Sequence, residues 1–157
     1  MTADFDFARA LDITVAILAA YLLALPLAWE RKAHGEAGVG LRTLPLVSVG
    51  TCAYLLLSRM LFEQGVFASD GTARALRSMM TGIGFIGGGA ILKHATSVTG
   101  VKGITTATSV WTTAAIAASV AHGYYTIAIA LSLTSVLVVM VTGRLAHRAR
   151  AARPDVA

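Results

Sequence analysis

The chain is poor in charge. Only 13% of its 157 residues are Asp, Glu, Lys or Arg, against about 25% in an ordinary soluble domain. That leaves too little charge to cover a water-facing surface, so the composition excludes a soluble globular protein and indicates an integral membrane protein. Cysteine is nearly absent as well. The single Cys52 excludes an intramolecular disulfide and any Cys-rich zinc site. Acid is missing where chemistry would need it. Between Asp70 and Asp155 there is no Asp or Glu, and no carboxylate falls at the centre of an apolar run. The nearest is Asp12, at the edge of the first. Ion pumps and proton relays place ionisable groups inside the membrane, so this pattern weighs against a dedicated metal pump. The start, MTADFDFARALD, lacks the positive region of a secretory signal, and the first apolar run is expected to remain in the protein.

What is present is long apolar sequence. A spanning helix needs about 20 mostly apolar residues. Residues 13–29, 44–57 (extendable to 62), 104–121 and 124–142 meet that test. Residues 78–92 are shorter, bracketed by Arg77 and Lys93. A full span with snorkelling ends is favoured there over a re-entrant segment. The expected fold is all-α, a polytopic bundle of five transmembrane helices over residues 1–143, followed by a basic cytoplasmic tail at 144–157. With the N-terminus outside, nine Lys and Arg fall on inner segments and four on outer ones, which predicts N-out/C-in. The net charge of +5 is read as orientation and contact with the lipid bilayer, not as a nucleic-acid footprint.

Residues 81–93 read TGIGFIGGGAILK, a literal G-x-G-x-x-G at Gly82, Gly84 and Gly87. A dinucleotide site needs a strand before it and an acid about 20 residues after it. Neither is there, and no Gly-Lys-Ser/Thr follows Gly89. On a membrane helix the same residues make a packing surface. Gly84 and Gly88 form G-x-x-x-G with Gly87 on the same face, in a stripe Met80, Gly84, Gly87, Ile91. Tight packing is favoured. A hinge or unwound segment lining a polar path is the alternative.

The run after Lys102, GITTATSVWTTAAIAAS, puts Thr105, Ser109 and Thr112 on one face and Thr106, Ser109 and Thr113 on an adjoining one. Such hydroxyls can bond back to their own helix, bond across helices, or line a solute path. Trp111 is expected to pack against small neighbours. The loop WERKAHGEAGVGLRT carries Glu30, Arg31, Arg42 and Thr43. It reads as a flexible turn with orienting charges, or as a surface for a headgroup, anion or partner. Glu30 and Arg42 are placed to form an ion pair across it. His34, His94, His122 and His147 lack ligand spacing. No nucleophile–base arrangement is found, so no enzyme, cofactor or metal site is expected.

Taken together, ER…GLRT, then TGIGFIGGGAIL, then VKG-x-TTA-x-SVW-x-TAAI resembles the MgtC/SapB family of bacterial inner-membrane proteins over about residues 10–143. The matching positions are Glu30, Arg31, Gly40, Leu41, Arg42, Thr43, Asp70, Gly82, Gly84, Phe85, Gly87, Gly89, Lys102, Gly103, Thr105, Thr106 and Trp111. The resemblance implies a five-span inner-membrane domain, adaptation to magnesium limitation and, in pathogens, virulence. Through the family's namesake it implies restraint of the F-type ATP synthase. Two departures stand out. The C-terminal ACT-like domain of longer members is not seen, and LALPLAWER replaces a glycine-containing first-helix segment, with Pro26 placed to kink it. The expected function is a small regulator acting through intramembrane helix contacts. A channel or transporter for a small ion or solute is the rival, and a homo-oligomer assembled through glycine faces is the third reading.

Overall fold

The computed structural model describes residues 6–33, 40–92 and 103–151. They form five α-helices: α1 (Phe7–Ala33), α2 (Thr43–Glu63), α3 (Gly71–Leu92), α4 (Ile104–Ala121) and α5 (Tyr125–Ala151). All five are long and apolar enough to cross a membrane. The α4 boundaries coincide with the apolar run read from the sequence, and the other helices are longer than their apolar cores. The largest difference is in α3. It begins at Gly71 and includes Arg74 and Arg77 in its first turns. Its 22 residues reach about 33 Å at about 1.5 Å per residue, enough for a full crossing. It is one uninterrupted helix, not a hinged or unwound one. α1 likewise runs through Pro26, and α5 continues without a break past residue 143.

Local sequence explains the helix ends. The Asp6 carboxylate accepts from the backbone N–H groups of Ala8 and Arg9 at 3.1 and 3.3 Å, an N-cap for α1. α2 and α4 both end in a glycine with positive φ, Gly65 (73°) and Gly123 (79°). After α2, Gly65 N–H donates to Phe62 and Val66 N–H to Leu61. After α4, Gly123 N–H donates to Val120 and Tyr124 N–H to Ser119. Both are Schellman closures, which satisfy carbonyls left over at a helix end. They lie at the same end of the bundle, and two tight turns there fix α2 against α3 and α4 against α5.

α4 is the hub, packed against all four other helices. Its buried face is Thr106, Ser109, Val110, Thr113, Ala114, Ile116, Ala117, Val120 and Ala121, mostly small. Small side chains let helix backbones come close, where dispersion must do what the hydrophobic effect does in water. α1 answers with Ala16, Ala20, Ala24 and Ala28, one residue per turn, all at most 5% exposed. Two hydroxyls tie other helices to α1. Ser48 of α2 donates to the Ala20 carbonyl and Ser132 of α5 to the Leu23 carbonyl, each at 2.7 Å. Large apolar side chains such as Leu22, Phe85, Leu133 and Leu137 point outward, as a lipid solvent allows.

Candidate functional site

The residues singled out by the sequence divide between the two ends and the middle of the bundle. Where α1 ends and α2 and α4 begin, Glu30 and Arg31 are 7% and 4% exposed. Burying charge is tolerated only with partners. The Arg31 guanidinium donates from Nη2 to Thr106 Oγ1 at 3.2 Å, and Glu30 is likewise partnered. The expected Glu30–Arg42 pair does not form among the described residues. Arg42 is exposed, and its neighbour Leu44 is the one turned into the core. The sequence proximity of Arg42 to the helix start placed it near Glu30 along the chain, but the first turn of α2 points it outward. Thr43 is half-buried beside it. Lys102 and residues 34–39 lie outside the described residues.

At the same end α3 meets α4 through Gly103, which caps α4 with φ 92°. A Cβ there would lie 2.5 Å from the Ala90 carbonyl oxygen. Both the left-handed backbone and the close approach demand glycine. Asp70 is at the opposite end. It is exposed and pairs with Arg74 at 3.0 Å, beside the first turn of α3, where negative charge suits the helix dipole.

The glycine stripe separates into two uses. Gly87 is buried, and a Cβ on it would touch the Ala107 Cβ at 3.4 Å. Ile83, one turn earlier, is buried with it. Gly82, Gly84, Gly88 and Gly89 have nothing within 4 Å of an added Cβ. The expected shared face of Gly84, Gly87 and Gly88 is therefore corrected. The inward line is Met79, Ile83 and Gly87, and the other glycines surround an outward Phe85 that is 85% exposed.

The hydroxyls of α4 also split. Thr106, Ser109 and Thr113 are buried, whereas Thr105 is exposed and Thr112 half-buried. Thr105, Ser109 and Thr112 line a cavity of about 290 Å³ against α5, together with Thr108, Thr134 and Ser135. The last three were missed in the sequence reading. A search for Ser and Thr on α5 at helical spacing finds the latter two. Thr108, Ser109, Thr112 and Ser135 donate to carbonyls of their own helices at 2.7–3.1 Å. Their protons are spent locally, and their oxygen lone pairs remain as acceptors. Trp111 is 48% exposed and borders a separate apolar cavity of about 180 Å³ with Met79, Met80, Ala114, Ala115 and Ala118. The expected close packing of Trp111 is only partial, because its small neighbours leave that space open.

At the end that carries Asp70, a third pocket of about 220 Å³ lies between α1, α2 and the α4–α5 turn. Arg9, Asp12, Arg59 and Glu63 line it over Ile13, Ala16, Leu56, Met60, Val120 and Ala121.

Five helices long and apolar enough to span a membrane, centred on a small-residue hub with Glu30 and Arg31 buried at one end, define a multi-pass membrane protein of small-residue packing. The MgtC family profile matches residues 17–148, most of the bundle, and the chain belongs to the MgtC family. It is 31% identical over 152 residues to the putative magnesium transporter YhiD of Escherichia coli K12, covering 94% of this chain and 65% of that one. Protein SrpB of Synechococcus elongatus is 30% identical over 121 residues, covering 73% and 66%. Protein MgtC of Brucella abortus is 34% identical over 104 residues, covering 66% and 40%. The chain thus spans about two thirds or less of the length of these relatives. No solved structure matches it.

Proposed function

We propose that this protein is a regulator in the bacterial inner membrane that works by laying the open face of α3 against a transmembrane helix of another protein. The observation that carries the reading is the room around Gly84 and Gly88, where an added Cβ meets nothing within 4 Å. They sit one turn apart on a helix whose adjoining side, at Gly87, is already committed to α4. A partner backbone can approach there more closely than at any lipid-facing leucine. Family membership supports the biological setting of magnesium limitation and suggests the F-type ATP synthase as the partner to test first. The excess of inner-segment Lys and Arg, nine against four, supports N-out/C-in.

The test is ATP-driven proton pumping in inverted membrane vesicles, with and without the protein at levels equal to the synthase. Pumping is expected to fall with the wild-type chain and to recover with Gly84→Leu/Gly88→Leu. Unchanged pumping at equal expression counts against the synthase as partner, and copurification then identifies another.

A second reading is favoured by one observation, the hydroxyl-lined cavity between α4 and α5, and accords with the name of the Escherichia coli relative. In it the acceptor oxygens of Thr105, Ser109 and Thr112 pass a small cation or polar solute. Flux into liposomes that is lost in Thr105→Val/Ser109→Ala, with folding intact, would place transport first.

A further inference from the structure

We infer that the pocket at the Asp70 end of the bundle is a binding site for one phospholipid with a zwitterionic, primary-amine headgroup of the phosphoethanolamine type. The pocket is graded in polarity along two antiparallel helices. On α1 the order is Arg9, Asp12, then Ile13 and buried Ala16. On α2 it is Glu63, Arg59, then Leu56. Charge lies at the bundle end and apolar floor lies toward the membrane interior, where Ala16 and Val120 are 5% and 2% exposed. A phospholipid standing in its own leaflet has the same gradient, headgroup above and glycerol and acyl chain below.

The charges match that headgroup in sign and number. Arg9 and Arg59 converge on the single Glu63 carboxylate, Arg9 through Nη2 to Oε2 and Arg59 through Nε to Oε1 at 3.0 Å. Each guanidinium has five N–H donors, so most of both forks stays uncommitted among the described residues. Two arginines held side by side by one carboxylate leave a local positive charge, suited to charge-assisted bonds with phosphate. Asp12 also lines the pocket and has no ion pair or hydrogen bond to its side chain among the described residues. A phosphate alone would face it as a like charge. A phosphate joined to an ammonium group satisfies both sides, the phosphate on the arginines and the ammonium on Asp12. Phosphatidylcholine carries no N–H to donate to Asp12. Phosphatidylglycerol carries no cation, so the carboxylate repels it.

The experiment is native mass spectrometry of the purified full chain from nanodiscs with equal mole fractions of phosphatidylethanolamine, phosphatidylcholine and phosphatidylglycerol. One retained phosphatidylethanolamine is expected, enriched about fivefold over each of the others, the discrimination that one exposed ion pair supplies. Asp12→Asn, close to isosteric, is expected to abolish the preference over phosphatidylglycerol. Arg9→Gln/Arg59→Gln is expected to reduce retention of all three lipids. Equal retention of the three by the wild type, or a preference for phosphatidylglycerol, overturns the assignment. So does an Asp12→Asn chain that keeps the wild-type preference, and this variant decides the matter even where the double arginine variant fails to fold.

Discussion

α1 and α3 carry small residues at the same helical spacing and use them in opposite ways. Ala16, Ala20, Ala24 and Ala28 form a seam that is closed on all four turns. Gly84 and Gly88 are open, although Gly87 between them is closed against Ala107. Small-residue spacing therefore marks where backbones can come close, but not whether the approaching backbone belongs to the same chain. The residue type adds a second clue. Alanine keeps helix propensity, and glycine gives up about 1 kcal/mol of it in water. The internal seam uses the residue that stabilises each helix alone. The outward face uses the one that removes the last methyl from the path of a neighbour.

This contrast can be broken at several points. The largest effect is expected from Gly103→Ala, which combines positive φ with a Cβ 2.5 Å from the Ala90 carbonyl oxygen. It should cost about 3 kcal/mol, read as a fall in thermal or denaturant midpoint in detergent. Next is Ala24→Leu, which drives a branched side chain into a fully buried site and should cost about 2 kcal/mol. Removing the α5–α1 hydrogen bond with Ser132→Ala should cost about 0.6 kcal/mol by the same measurement. The smallest effect is expected at Gly84→Ala and Gly88→Ala. Each should leave stability unchanged or raise it by up to about 1 kcal/mol, because the new methyl meets nothing in the chain. A clear loss of stability at Gly84 or Gly88 in the isolated protein would mean that the open face is an internal contact after all.

Much of the fold was legible because lipid imposes one strict demand, a run of apolar residues long enough to cross. That demand marked all five helices and the full extent of α4. It misled at α3, where Arg74 and Arg77 look like loop residues until their long stems are allowed to carry charge outward from a helix. The site was less legible. Glu30 and Arg31 are adjacent in sequence, and only the bundle shows that both turn inward, with Arg31 on Thr106 in place of Arg42 beside Glu30. The glycine spacing pointed to packing correctly for Gly87 but put Gly84 and Gly88 on the same packed face, which the bundle leaves open. The alanine seam of α1 was as periodic as the glycines but less conspicuous, since alanine is common in any helix. The pocket at the Asp70 end depends on α1 and α2 lying side by side, 54 residues apart in the chain at the Arg9–Glu63 contact, which no local pattern encodes.

The hub position of α4 has a consequence for how the protein is made. Helices leave the ribosome in order, N-terminal first. α1 and α2 touch each other directly and share the Ser48–Ala20 hydrogen bond, so they can pair as soon as both are inserted. α3 packs only on α2 and α4 among the described helices, and its close joint with Gly103 at Ala90 cannot form until the segment that follows α3 has left the ribosome. For that interval the side of α3 that later meets α4, as well as its open glycine face, faces lipid or whatever protein is near, while α2 is already available to pair with it. On the proposed reading, the partner's earliest access is to the same helix that stays open in the finished bundle, and the arrival of α4 sets how long the extra side of that helix remains uncovered.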